Sequence, residues 1–250
     1  MFAPGGRGYK RLRTGAGLGI LAAMSGGVVM WDFDGTLATR PGLWSTCLLE
    51  VLDEHAPGHG ASRDELRAAL RDGFPWHRAS EPHPELCEPD AWWASLDPLL
   101  GRAFSVGGVE TAQHARLAQV FRARFVDGSV GWEAFADSRP ALAATAQAGW
   151  RNVILSNHVP ELAGLVDALG LADLVEEIFT SALIGYDKPH PEAFRHALRA
   201  CGEPARRWMV GDNPVADVAG AQALGIPALL IRTEGGEPDA LAAAQRVIDG

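Results

Sequence analysis

Hydrophobic positions fall along this chain in two rhythms. Val28-Val29-Met30-Trp31 is a continuous apolar run behind Gly26 and Gly27, and it ends at Asp32-Phe33-Asp34-Gly35-Thr36-Leu37. A short apolar run bounded by glycines predicts a buried β-strand. From residue 42 to about 130 no such run recurs. Cys47, Leu48, Val51 and Leu52 repeat at helical spacing, as do Leu66, Ala69 and Leu70. This predicts helices over 43–54, 63–72, 90–104 and 110–125. Ser62 ahead of Arg63-Asp64-Glu65 supplies a cap and an early carboxylate for the second. A Pro-broken loop separates the second and third: Phe74-Pro75-Trp76-His77-Arg78-Ala79-Ser80-Glu81-Pro82-His83-Pro84.

Past residue 138 the rhythms alternate. Helical patterns over 139–148, 160–169, 191–199 and 215–224 interleave with strand patterns over 152–157, 177–181, 208–212 and 228–231. Such alternation predicts an α/β fold with a doubly wound parallel sheet. Residues 28–40 and 136–250 then form the core domain, and 41–135 a helical domain inserted after the first strand.

Three of the apolar strands end in polar side chains: Asp32 with Asp34, Ser156 with Asn157, and Asp212. In open parallel sheets the ligand crevice lies beyond the carboxyl ends of the strands. These residues are therefore read as one site holding three carboxylates, a hydroxyl and an amide. Residues i and i+2 of an extended segment share a side, so Asp32 and Asp34 face together with Phe33 opposite. Like charges that close raise one another's pKa unless a cation sits between them. A divalent hard cation with oxygen ligands meets that need. Gly35 allows a sharp turn that exposes its N–H. In isolation Asp-x-Asp-Gly is also an ordinary strand end with a polar turn.

Composition narrows the partner classes. At 250 residues and 47% hydrophobic content the chain can hold one large domain, or one domain with an insert. A formal net charge of −9 and a pI near 5.3 argue against nucleic acid as a partner. Cys47, Cys87 and Cys201 lack metal-ligand spacing, and an odd count without a CxxC pair fits a reducing cytoplasm. No apolar run approaches the roughly 18 residues needed to cross a membrane. Arg7, Lys10, Arg11 and Arg13 precede a Gly/Ala-rich stretch from Gly15 to Met24 that resembles a weak signal peptide, but it holds three glycines and no Leu-rich centre. Residues 1–27 are read as an extension outside the fold, either a disordered basic tail or a non-native segment ahead of Met24 or Met30. The sequence is silent on oligomeric state.

Asp32-Phe33-Asp34-Gly35-Thr36-Leu37 resembles the first motif of the haloacid dehalogenase-like superfamily of phosphohydrolases. The resemblance extends over four motifs in family order. The second is Ser156 followed by Asn157. The third is Lys188 in Tyr186-Asp187-Lys188-Pro189-His190-Pro191. The fourth is Gly211-Asp212-Asn213-Pro214-Val215-Ala216-Asp217. The resemblance implies a Rossmann-like core with a type C1 helical cap and a Mg²⁺-dependent phosphatase acting on small phosphorylated metabolites. It casts Asp32 as the nucleophile that forms an aspartyl-phosphate, and Asp34 as general acid and then base. It implies Mg²⁺ held by the Asp32 carboxylate, the Asp34 carbonyl and Asp212. Ser156, Lys188 and the backbone N–H groups of Asn157 and Gly35 would bind the phosphoryl oxygens. Thr36 and Asp217 would support the site. Lys10 and Lys188 are the only lysines of a chain that otherwise uses arginine. At Lys188 a compact ammonium beside phosphate and carboxylate explains the exception.

Branches of that family separate on single residues. Dehalogenases, by resemblance, lack the second aspartate, which Asp34 supplies here. Phosphonatases, by resemblance, use a cap lysine, and 41–135 contains none. A sugar phosphomutase shares all four motifs and stays open, as does a non-catalytic phospho-ligand-binding protein. Trp76-His77-Arg78 with His83 is the candidate specificity element, with Arg78 placed to pair with an anionic group; the alternative is a solvated loop with Trp76 packed on a helix. Trp92-Trp93 reads as cap core. His158 follows the phosphate motif, either touching substrate or contacting the cap, and His190 shapes the Lys188 loop.

Overall fold

The structure, a computed structural model, describes residues 26–233 and 238–250. The extension read over 1–27 lies, up to residue 25, outside the described residues. The chain opens with β1 (Val28–Trp31) and β2 (Ala38–Thr39). Helices α1 (Leu43–His55), α2 (Arg63–Ala69), α3 (Pro89–Ser95), α4 (Asp97–Val106) and α5 (Thr111–Phe125) follow, then β3 (Glu133–Ala134). The remainder alternates: α6 (Ser138–Gln147), β4 (Arg151–Ser156), α7 (Leu162–Ala168), β5 (Glu177–Thr180), α8 (Ser181–Ile184), α9 (Pro191–Ala200), β6 (Arg207–Gly211), α10 (Gly220–Gln222), β7 (Ala228–Leu230) and α11 (Ala240–Asp249).

Five parallel strands form one sheet in the order β5-β4-β1-β6-β7. Val28 is in register with Arg151 on one side and Arg207 on the other. The chain leaves β1 for β4 and β5, then returns to β6 and β7 across it. The switch point therefore lies at β1, where a ligand crevice is expected beyond the strand ends. Every residue of β1 is buried, because helices cover both faces of a parallel sheet. Val29, Trp31, Ile154 and Val210 join the layer of Leu142, Leu165 and Ala243. Val28, Met30, Val153, Leu155 and Met209 join that of Phe194 and Ala197. One buried polar group in β4 is fully engaged: Asn152 Oδ1 accepts from Trp31 Nε1 at 3.0 Å and Thr145 Oγ1 at 2.7 Å, and its Nδ2 donates to the Leu142 carbonyl.

Between β2 and β3 the helices pack around aromatic rings. Trp44 lies 4.5 Å from both Phe74 and Phe125 and 5.3 Å from Phe121. Among the contacts that tie the helical segment to the sheet domain are two polar ones. Glu161 accepts from Trp93 Nε1 at 3.0 Å and Arg122 Nη2 at 2.7 Å. His83 Nε2 pairs with Asp187 Oδ2 at 2.9 Å, both groups buried.

Several boundaries differ from the sequence reading. The helix expected over 90–104 is two, because Pro98 sits in the first turn of α4 and cannot donate to the turn before it. The helix expected over 215–224 begins as a π-helical turn, Pro214–Ala219, before α10. The β2–β3 ladder, two residues a side, is too short to leave a periodic signal. Among the described residues no helix is long and apolar enough to cross a membrane.

Phe121 is fully buried against Trp44 and Phe125. Truncating such a ring leaves a cavity its neighbours cannot fill. Phe121→Ala is expected to lower the unfolding free energy by about 3–5 kcal/mol, read from urea unfolding; a loss under about 1 kcal/mol would mean that the helical layer does not share the cooperative core.

Candidate active site

β1 delivers the first carboxylates. Asp32 N–H still donates to the Val210 carbonyl at 2.9 Å, so its side chain is fixed by the sheet. The chain then curls: Leu37 and Ala38 N–H both return to the Phe33 carbonyl, and Gly35 adopts φ 78°. A Cβ at Gly35 would lie 2.4 Å from Asp212 Oδ2. Glycine is thus required both for the left-handed turn and for room beside that carboxylate. At Gly211 a Cβ would meet Asp217 Oδ2 at 2.1 Å, so the end of β6 must also be bare.

The strand ends of β1, β4 and β6 open on a cavity of about 310 Å³ lined by Asp32, Asp34, Ser156, Asn157, Lys188, Asp212 and Asp217. The sequence brought these same residues together from separate strands and loops. Lys188 Nζ donates to Asp32 Oδ1 at 2.8 Å and to Asp217 Oδ1 at 2.5 Å. Burial works against its charge, but the Asp217 and Asp32 carboxylates outweigh that and hold the ammonium above its ordinary pKa. Its backbone is clamped by Asn157: Oδ1 accepts from Lys188 N–H at 2.7 Å and Nδ2 donates to its carbonyl at 2.8 Å. Asn157 therefore positions the lysine loop as well as lining the cavity. Thr36 Oγ1 lies 3.4 Å from Asp212 Oδ1.

Asp32, Asp212 and Asp217 each place a carboxylate oxygen within 4.8 Å of the others. An all-oxygen, acidic set suits a hard divalent cation. Burial, then repulsion from Asp32 and Asp212, pushes Asp34 up to about 8. Burial, then Asp32 and Asp217, raises Asp212 to about 7. Asp217 rises to about 6 through burial and Asp32, against the pull of Lys188. This is uncompensated negative charge of the kind a bound cation relieves.

The cap-side expectations divide. Trp76 lines the cavity, and so does its neighbour His77. Arg78 does not: it is exposed, and its guanidinium lies 3.5 Å from Glu81. His83 is not at the cavity either but buried on Asp187. His158 does line it. Its ring meets Phe33 edge-on at 5.4 Å and Trp132 at 5.5 Å, and burial pushes its pKa down to about 4, so it is neutral there. Leu43, Trp44, Phe74, Phe125 and Val159 also line the cavity and were not foreseen as site residues. Trp44 and Phe125 sit at the ends of α1 and α5, inside segments read only as helices.

Comparison with known proteins agrees with this geometry. The family model described as haloacid dehalogenase-like hydrolase matches residues 27–225. Haloacid dehalogenase-like hydrolase domain-containing protein 3 of Mus musculus is 32% identical over 153 residues, 59% of this chain and 57% of that protein. Phosphoserine phosphatase of Thermus thermophilus is 33% identical over 159 residues, 62% of this chain and 61% of that protein. The chain thus spans under two thirds of the length of the curated relatives it matches. A crystal structure of 2-haloacid dehalogenase from Pseudomonas syringae superposes with TM-score 0.64 at 23% identity, covering 90% of this chain and 98% of that one.

The raised carboxyls have a measurable consequence. Between the ordinary carboxylate range near pH 4 and values of about 6, 7 and 8, the folded chain holds protons that the unfolded chain releases. Stability must therefore fall as pH rises through that window. The melting temperature of EDTA-treated protein is expected to drop by on the order of 5 °C from pH 6 to 8, with Asp34→Asn flattening the drop. A profile rising with pH would contradict this charge distribution.

Proposed function

The chain belongs to the haloacid dehalogenase-like hydrolases, and we propose that within them it is a Mg²⁺-dependent phosphatase. It hydrolyses small phosphate monoesters through an aspartyl-phosphate. The observation that carries this reading is the contrast between two carboxyls two residues apart. Asp32 is paired with a buried ammonium at 2.8 Å, whereas Asp34 is pushed up to about 8. Neighbouring carboxyls in environments that separate their protonation states divide nucleophile from acid.

Asp32 Oδ attacks phosphorus and forms the acyl phosphate. Asp34, protonated at neutral pH, gives its proton to the leaving oxygen, then takes one from the water that cleaves the acyl phosphate. Lys188, Ser156 and the N–H groups after Asp34 and Ser156 receive the phosphoryl oxygens; stabilising that charge is the main source of catalysis in phosphoryl transfer. Asp217 keeps Lys188 charged and in place. Asp32 and Asp212 would hold Mg²⁺ together with the Asp34 carbonyl, and Asp217 belongs to the same carboxylate group. When bound, the ion neutralises phosphate charge. The helical segment acts as a cap that limits water at the site. The similarity to a phosphoserine phosphatase supports phosphate esters over organohalides.

p-Nitrophenyl phosphate is expected to be hydrolysed with Mg²⁺ and to stop being hydrolysed on chelation with EDTA. Asp32→Asn is expected to abolish turnover with the circular dichroism spectrum unchanged. Asp34→Asn is expected to lose about 10²–10⁴-fold in rate. Silence toward a broad phosphoester panel, or full activity in Asp32→Asn, would refute the proposal.

A further inference from the structure

The cavity has two unlike halves. One is the carboxylates, Ser156, Asn157 and Lys188; the other is Leu43, Trp44, Phe74, Trp76 and Phe125. Phe74 and Trp76 stack 4.5 Å apart with ring planes 10° from parallel, and Trp44 lies 4.5 Å from Phe74. Among the described lining residues Lys188 is the sole lysine or arginine, and Asp32 and Asp217 already engage its ammonium. Arg67 and Arg71 line an adjoining cavity that shares Leu43, Trp44 and Phe74, and Arg78 pairs with Glu81. His77 meets Phe74 edge-on at 5.4 Å, and its Nδ1 lies 3.9 Å from the Asp72 carboxylate.

An anionic leaving group would lie against aromatic rings with no arginine and no unengaged lysine among the cavity's described lining residues, and burying an unpaired charge is costly. A flat apolar group would stack and lose its hydration favourably. At about 310 Å³ the cavity sits at the small end of ligand sites and fits a phosphate with one ring system.

We propose that the substrate is a phosphate ester whose leaving group is uncharged and carries an aromatic or similarly flat apolar body. Trp76 is the chief determinant of this preference. The inference rests on the phosphatase reading. Benzyl phosphate and 2-phosphoglycolate test it, because both release a primary alkoxide carbon–oxygen group and differ in a ring against a carboxylate. With Mg²⁺, kcat/KM for benzyl phosphate is expected to exceed that for 2-phosphoglycolate at least tenfold. Trp76→Ala is expected to shrink that ratio fivefold or more, mainly through KM for benzyl phosphate. Trp76→Leu, which keeps apolar bulk without the ring, serves as a second variant should Trp76→Ala fail to fold. A wild-type ratio below tenfold overturns the substrate class, while phosphate release from either ester leaves the phosphatase reading standing. A ratio unmoved in a folded Trp76 variant overturns the role of Trp76. No phosphate from either ester or from p-nitrophenyl phosphate defeats the phosphatase reading, and this inference with it.

Discussion

The buried ammonium of Lys188 is the constraint on which the site depends. An amine removed from water keeps its charge only where carboxylates replace its hydration. Here Asp32 and Asp217 do so at 2.8 and 2.5 Å. The relation is reciprocal. Asp32, Asp34, Asp212 and Asp217 all face the cavity, and among its described lining residues Lys188 is the only lysine or arginine. Without it, four acidic groups would crowd one crevice with no permanent internal positive charge. The loop that carries Lys188 is accordingly held from two directions. Asn157, at the end of β4, grips its backbone through both amide atoms. Asp187, one residue earlier, is bonded to His83 of the helical segment. The position of the lysine is thus coupled both to the sheet and to the layer above it.

Much of this arrangement is legible in the sequence alone, for a physical reason. Strands buried on both faces read as unbroken apolar runs, so β1, β4 and β6 announce themselves, and the polar residues after them mark where the sheet ends. Gly35 and Gly211 belong to the same signal: each is bare because a carboxylate occupies the space of its missing Cβ. What stayed hidden depends on orientation. Pro75–Arg78 forms a single 3₁₀ turn, in which successive side chains point about 120° apart. Trp76 and His77 reach the cavity and Arg78 points away, a distinction that composition of the loop does not contain. Likewise Trp44 and Phe125 satisfy a helical core pattern and line the cavity at once. Periodicity reports burial, and it does not say whether the neighbour is protein or ligand. The break between α3 and α4 was readable in principle, since Pro98 stands in the first turn of the second helix.

The two halves of the cavity come from different parts of the chain, and this separation explains how a shared fold can serve different substrates. The charged half is built by strand ends, where the sheet register fixes each side chain relative to the others. A shift there would move carboxylates into contact or strand the ammonium. The aromatic half is built by α1, the Phe74–His77 loop and the end of α5, whose rings pack chiefly on one another, with Phe125 also 6.3 Å from His158 beyond β4. Its composition can change without moving the strand-end side chains beneath it, consistent with function residing in sites carried on a fold.

In the proposed reaction the aromatic half also bears on the chemistry. Glu161 fastens Trp93 and Arg122 to the sheet domain, and rings then stand over the carboxylates instead of open solvent. Fewer waters there would leave the field of Lys188 and the backbone N–H groups less screened toward a bound phosphate in the proposed reaction. Burial is also the largest cause of the raised proton affinity of Asp34, and any ring that excludes water from the crevice adds to it. In the proposed reaction, the wall that contacts the leaving group would therefore help keep the proton that the departing oxygen needs. In the proposed phosphatase, specificity and acid catalysis would be linked through water exclusion.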